Sequence, residues 1–140
     1  MRLLLDTDVI VAAFRSPTGA SSALLQAAID GKFIMLASVA VALEYEAVIK
    51  RPEQLKAMNM SLPDADRRIR SLIGLCEPVF KAFSWRPQLG DANDEMMLEA
   101  AVNGGADMLV TFNRRDFANV PTRFGISCLL PREALERIRL

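Results

Sequence analysis

The chain has 140 residues, 51% of them hydrophobic and 24% charged, and its 17 basic and 17 acidic side chains cancel to a formal net charge of zero. That length suits one domain with its own core, and the charge balance excludes a globally basic protein, so any attraction to nucleic acid must come from local clusters. Histidine is absent, which excludes Ser-His-Asp and Cys-His catalysis, zinc sites with histidine ligands and nucleases using histidine as acid and base, and leaves carboxylates, lysine, hydroxyls and oxygen-bound hard metals.

Arg2–Leu5 reads as a short buried strand, and Asp6 falls where it ends. A carboxylate there is costly unless something compensates it, and open α/β sheets bind ligands outside the carboxyl ends of their strands. Arg15–Gly19, with Pro17 and Gly19, reads as a mobile loop next to Asp6. Ser21–Asp30 reads as a helix closed by Gly31 in the C-terminal capping position. Phe33–Ala37 is a second strand, and Ser38 caps a helix running to about Lys50, which Pro52 stops or kinks.

Ser61-Leu62-Pro63-Asp64 has the pattern of a capping box with an early proline, opening a helix to about Cys76. Glu77–Trp85 is ambiguous, because Pro78 argues against a central strand. Ala92–Asn103 is a helix ended by Gly104-Gly105. Met108–Thr111 and Ile126–Leu130 are the third and fourth strands, and Pro131 opens a terminal helix. The β-α-β-α alternation predicts an α/β fold: a three-layer α/β/α sandwich around a central parallel sheet, one domain over residues 1–140.

Cys76 and Cys128 sit in apolar settings and are expected to be free thiols in a reducing compartment. The apolar run before Asp6 is too short for a signal peptide, and no stretch approaches a membrane span, so a cytoplasmic location is expected. Arg67-Arg68-Ile69-Arg70 and Arg114-Arg115 are the basic clusters, readable as nucleic-acid contacts or as solvated helix faces.

The acids follow a placement rule. Glu44 shares a helical stripe with Ala40, Val41 and Val48 and should face the sheet, whereas Glu46 points elsewhere and can pair with Lys50. In Gly90-Asp91-Ala92-Asn93-Asp94-Glu95, Asp91 suits the helix cap, Asp94 should turn inward with Leu98 and Ala101, and Glu95 should be more exposed. Thr111, Asn113 and Asp116 follow the third strand as Asp6 follows the first. Every acid thus falls at a strand's carboxyl end or at the start of the next helix, and a parallel sheet gathers those ends on one edge. Carboxylates clustered there repel one another unless a cation is bound, which implies Mg²⁺ or Mn²⁺.

The ordered set Leu4-Leu5-Asp6-Thr7-Asp8-Val9, Glu44-Tyr45-Glu46-Ala47-Val48 with Lys50-Arg51-Pro52, Asp91-Ala92-Asn93-Asp94-Glu95, and Gly105 through Phe117 resembles the PIN-domain family, particularly its bacterial branch of VapC-like toxins of type II toxin–antitoxin pairs. The resemblance implies a metal-dependent endoribonuclease. It carries the catalytic and metal-holding acids over as Asp6, Glu44, Asp94 and Asp116, with Thr111, Asn113, Asp8 and Asp91 supporting them. Asp6 and Asp94 would hold the ion, and Glu44 and Asp116 would orient water or a second ion. Many relatives have an acid where this chain has Asn113 and asparagine where it has Asp8. A homodimer, an RNA substrate and an antitoxin partner reaching the carboxylates with a basic side chain are further implications.

Two other readings use the same residues. Asp6-Thr7-Asp8 looks like the nucleophile motif of a haloacid-dehalogenase-type aspartyl phosphatase, although the chain is small for that fold. A non-catalytic PIN-like binding module would keep the acids for structure or docking alone.

Overall fold

The computed structural model describes residues 1–81 and 88–139. Among these, five strands form one sheet: β1 (Arg2–Leu5), β2 (Ile34–Ser38), β3 (Glu77–Val79), β4 (Met108–Val110) and β5 (Ser127–Leu129). All pairings are parallel, in the order β3-β2-β1-β4-β5, and helices surround the sheet. The α/β architecture expected from the strand–helix alternation is the one observed. Leu3, Leu4 and Leu5 are fully buried at the sheet's centre, which explains the unbroken apolar run: a parallel strand covered on both faces does not alternate.

The helices are α1 (Thr7–Arg15), α2 (Ala20–Ile29), α3 (Val39–Ile49), α4 (Pro52–Met58), α5 (Leu62–Leu75), α6 (Ala92–Asn103), α7 (Arg114–Phe117), α8 (Val120–Arg123) and α9 (Pro131–Arg139). Ser38 and Ser61 cap α3 and α5 by accepting from the amides of Val41 and Asp64. Pro52 ends α3 and also opens α4 at its first position, where the missing N–H costs nothing.

Three local expectations change. No helix was expected over Thr7–Arg15, yet α1 buries Val9, Ile10 and Ala13 and places the 16–19 loop at its far end, away from Asp6. Glu77–Val79 is an edge strand, the position that tolerates Pro78; residues 82–85 of that ambiguous stretch lie outside the described ones. Gly104 serves packing more than capping. A Cβ there would sit 2.9 Å from Ala100 O, Leu36 Cδ1 and Val79 Cγ2, so α6 meets β2 and β3 too closely for any side chain. Its neighbour Gly105 takes the left-handed conformation at φ 63°.

Cys76 and Cys128 are free, as expected. Burial pushes their thiols up to about 12 and about 11 respectively, away from reactivity. Among the described residues no helix is long and apolar enough to cross a membrane.

Candidate active site

Chain order places the site. From β1 the chain moves outward through β2 to β3, then crosses to β4 on the other side of β1 and continues to β5. The reversal leaves a crevice between β1 and β4 at the carboxyl edge, the general ligand position of such sheets. Leu5 pairs in register with Val110, so Asp6 and Thr111 emerge side by side there.

Asp6 is only 8% exposed. Its Oδ1 accepts from Thr7 N at 2.8 Å as the N-cap of α1, and its Oδ2 accepts from the Thr111 hydroxyl at 2.8 Å. Each oxygen thus accepts one bond from a neighbour, which fixes the carboxylate at the crevice floor and leaves its remaining lone pairs open. Tyr45, fully buried on α3, donates its hydroxyl to the carbonyl of Leu5 and ties that helix to the strand end carrying Asp6.

Asp8 stands beside it on the first turn of α1. Its Oδ2 accepts from Phe112 N at 3.1 Å and the Asn113 side-chain amide at 3.0 Å, and lies 3.4 Å from the Thr111 hydroxyl oxygen, whose proton goes to Asp6. Asn113 therefore faces Asp8 as a donor. An acid at position 113 would set two carboxylates against each other, which gives a local reason why the amide stands at 113 when the acid stands at 8.

A cleft of about 450 Å³ collects the rest. One wall carries Glu44, Arg51 and Gln54 from α3 and α4. Another carries Asp91, Asn93 and Asp94 from the start of α6, and Asn113 and Asp116 close it beside Asp6, Thr7 and Asp8. The carboxylates singled out in the sequence thus share one cavity. Asp91 caps α6 by accepting from Asn93 N at 2.8 Å and Asp94 N at 3.1 Å. Asp116 is exposed on the short helix α7. Glu46 bonds Lys50 at 2.8 Å and takes no part.

Some side chains differ from expectation. Ala40 is exposed, because the inward face of α3 turns through Val41, Tyr45, Val48 and Ile49. Glu95 is as sheltered as Asp94: its carboxylate accepts from Gln88 N and from Leu89 N at 2.8 Å and pins the approach to α6. Arg51, Gln54, Thr7 and Asn93 were not picked out as site residues. Asn93, Thr7 and Arg51 had a sequence signal, through their place in the quoted motifs, and Gln54 had none.

Electrostatics mark the cleft as anion-crowded. Burial first, then the charge of Asp8, raises the pKa of Asp6 to about 6 despite the Thr111 bond. Burial, followed by the charges of Asp91, Asp6 and Asp116, raises Asp94 to about 6. Asp8 is also raised, chiefly by burial. Thr7 Oγ1, Asp8 Oδ1 and Gln54 Oε1 are buried without a partner among the described residues, and all three side chains line this cleft. Oxygen donors lacking partners beside crowded carboxylates suit a hard divalent cation. Yet no three acidic groups among the described residues converge tightly enough to grip one ion directly.

The fold is thus a parallel α/β domain with a carboxylate-lined cleft at its topological switch point, free of histidine. A sequence model of the PIN domain matches residues 2–115, and the chain belongs to the PIN-domain family. PIN domains are generally nucleases and typically use divalent metals. The match contains Asp6, Asp8, Glu44, Asp91, Asp94, Thr111 and Asn113 and ends one residue before Asp116. Neither the curated proteins nor the solved structures yield a significant match.

Proposed function

We propose that the chain is a Mg²⁺- or Mn²⁺-dependent endoribonuclease that hydrolyses RNA phosphodiester bonds and acts as the toxin of a type II toxin–antitoxin pair. The observation that carries the nuclease reading is the gathering of Asp6, Asp8, Glu44, Asp94 and Asp116 around one cleft in which the buried oxygens Thr7 Oγ1, Asp8 Oδ1 and Gln54 Oε1 lack partners among the described residues. The toxin role, a homodimer and an antitoxin partner rest on the resemblance of the ordered motifs.

Asp6 and Asp94 would hold the cation, with Glu44 and Asp116 orienting water. When bound, the cation supplies a water of lowered pKa and neutralises charge on the scissile phosphate. The protein's own part is positional. Thr111 holds Asp6, and Asn113 with the Phe112 amide holds Asp8, so the carboxylates keep their places without reorganising as charge develops.

Asp6→Asn and Asp94→Asn are each expected to abolish Mg²⁺- or Mn²⁺-dependent cleavage of a panel of RNAs while the circular dichroism stays native. Cleavage retained by either pure variant would overturn the assignment.

One second reading is a PIN-like module that binds without cutting, favoured because no three of the acids among the described residues are grouped to hold one ion. Calorimetry with Mn²⁺ separates the two, since binding weaker than millimolar would support the module. The phosphatase reading loses ground because the chain belongs to the PIN-domain family over residues 2–115.

A further inference from the structure

A strip of cationic side chains leads out of the acidic cleft along α4, and we propose that it binds the phosphates of a single RNA strand flanking the bond to be cut; this rests on the nuclease reading above. Among the described residues, six carboxylates line the cleft and Arg51 is its one cation. A polyanion cannot approach such a cleft without a nearby positive anchor. Arg51 stands exposed at the N-terminal end of α4 and forms no ion pair among the described residues.

At the other end of α4 lies a second depression of about 710 Å³, between the ends of α1 and α4 and the start of α5. Arg15, Arg67 and Arg68 line it. Arg67 is tied to Asp64, whereas Arg15 and Arg68 are exposed and form no ion pair among the described residues. The seven residues of α4 separate the two depressions by about 10 Å.

Lys56 is exposed on α4 between them, with Glu53 the one acid on that helix. Both depressions also touch α1, through Val11 in the cleft and Phe14 and Arg15 in the other. The positive groups therefore continue from the cleft along a single seam. A strand whose scissile phosphate reaches the floor near Asp6, only 8% exposed, must be slender enough to enter the cleft, and its next phosphates then meet Arg51 and the α1–α5 arginines.

The test is fluorescence anisotropy of a single-stranded RNA oligonucleotide, in Mg²⁺, on an Asp94→Asn background to suppress cleavage. Arg51→Ala, and Arg15→Ala with Arg68→Ala, are expected to raise Kd several-fold. Each lost phosphate contact should flatten log Kd against log salt by about 0.7. Arg51→Lys should keep the slope. Arg137→Ala should change nothing, because its guanidinium bonds Ser127 at the entry end of β5, on the opposite edge of the sheet. If the parent binds RNA and these alanine variants bind with unchanged Kd and slope, the strip is overturned and the nuclease reading survives. A parent that binds no RNA at all overturns both.

Discussion

The hydroxyl of Thr111 donates to Asp6 at 2.8 Å, joining residues 105 positions apart across the crevice between β1 and β4. The same oxygen accepts from Asn113 N at 3.0 Å and lies 3.4 Å from Asp8. One hydroxyl thus organises both acids of the floor.

Thr111→Val keeps the shape and removes the hydroxyl. A buried Asp6 oxygen then loses its donor, which costs about 1–3 kcal/mol. Urea denaturation of the metal-free protein at neutral pH should show a lowered midpoint with an unchanged m-value, and cleavage should fall with it. An unchanged midpoint would mean that the bond contributes nothing to holding Asp6.

The raised carboxylates predict an unusual dependence of stability on pH. Asp6 and Asp94 sit at about 6 in the fold, against 3.8 for an unperturbed aspartate. Between those values the folded state keeps protons that the unfolded chain has released. Their contribution is therefore complete below about pH 4 and is lost as the pH rises through about 6. The metal-free Tm should fall across that window. The paired Asp66, lowered by its bond to Lys50, acts in the opposite sense and only at lower pH. Added Mn²⁺ should raise Tm more at about pH 7.5 than at about pH 5, since it holds the carboxylates in their charged form. A curve that Asp6→Asn and Asp94→Asn fail to flatten would point to other groups.

Asn113 faces Asp8 as a donor at 3.0 Å. Asn113→Asp should therefore lower the metal-free Tm by several degrees, and by more than Asn113→Ala, because it replaces a hydrogen bond with repulsion rather than with nothing. Differential scanning calorimetry on the two variants checks this. Equal losses would show that the amide does not hold Asp8.

Tyr45→Phe removes the donor to the Leu5 carbonyl in a fully buried setting. A loss of about 1 kcal/mol is expected, with a drop in cleavage rate, because that carbonyl immediately precedes Asp6. Full activity in a destabilised variant would confine Tyr45 to the core.

Much of this site was legible as broken patterning. Asp6 interrupts a buried strand, Glu44 interrupts an apolar stripe and Asp94 sits on one, and each does line the cleft. Helix α1 is not evident from the strand pattern although Val9, Ile10 and Ala13 have helical spacing, because Asp6 is at once the end of a strand and the N-cap of the helix that follows directly. Arg51 stood in the quoted motifs with no role assigned to it, and Gln54 carried no signal. They reach the cleft only because Pro52 breaks α3 from α4 and turns the chain back toward α1, an outcome of packing rather than of spacing.

The sequence by itself determined strands β1, β2, β4 and β5, helices α2, α3, α5, α6 and α9, and which acids sit at their ends. Those are local matters of periodicity, turn chemistry and burial, and the absence of histidine settled the kind of chemistry open to the chain. Only the tertiary structure decided that β1 lies between β2 and β4, that Thr111 and Asn113 become donors to Asp6 and Asp8, and that the acids line one cleft without closing on a point. Strand order and side-chain partnership join residues about a hundred positions apart. They are chosen by the packing of the whole core, to which no local pattern has access.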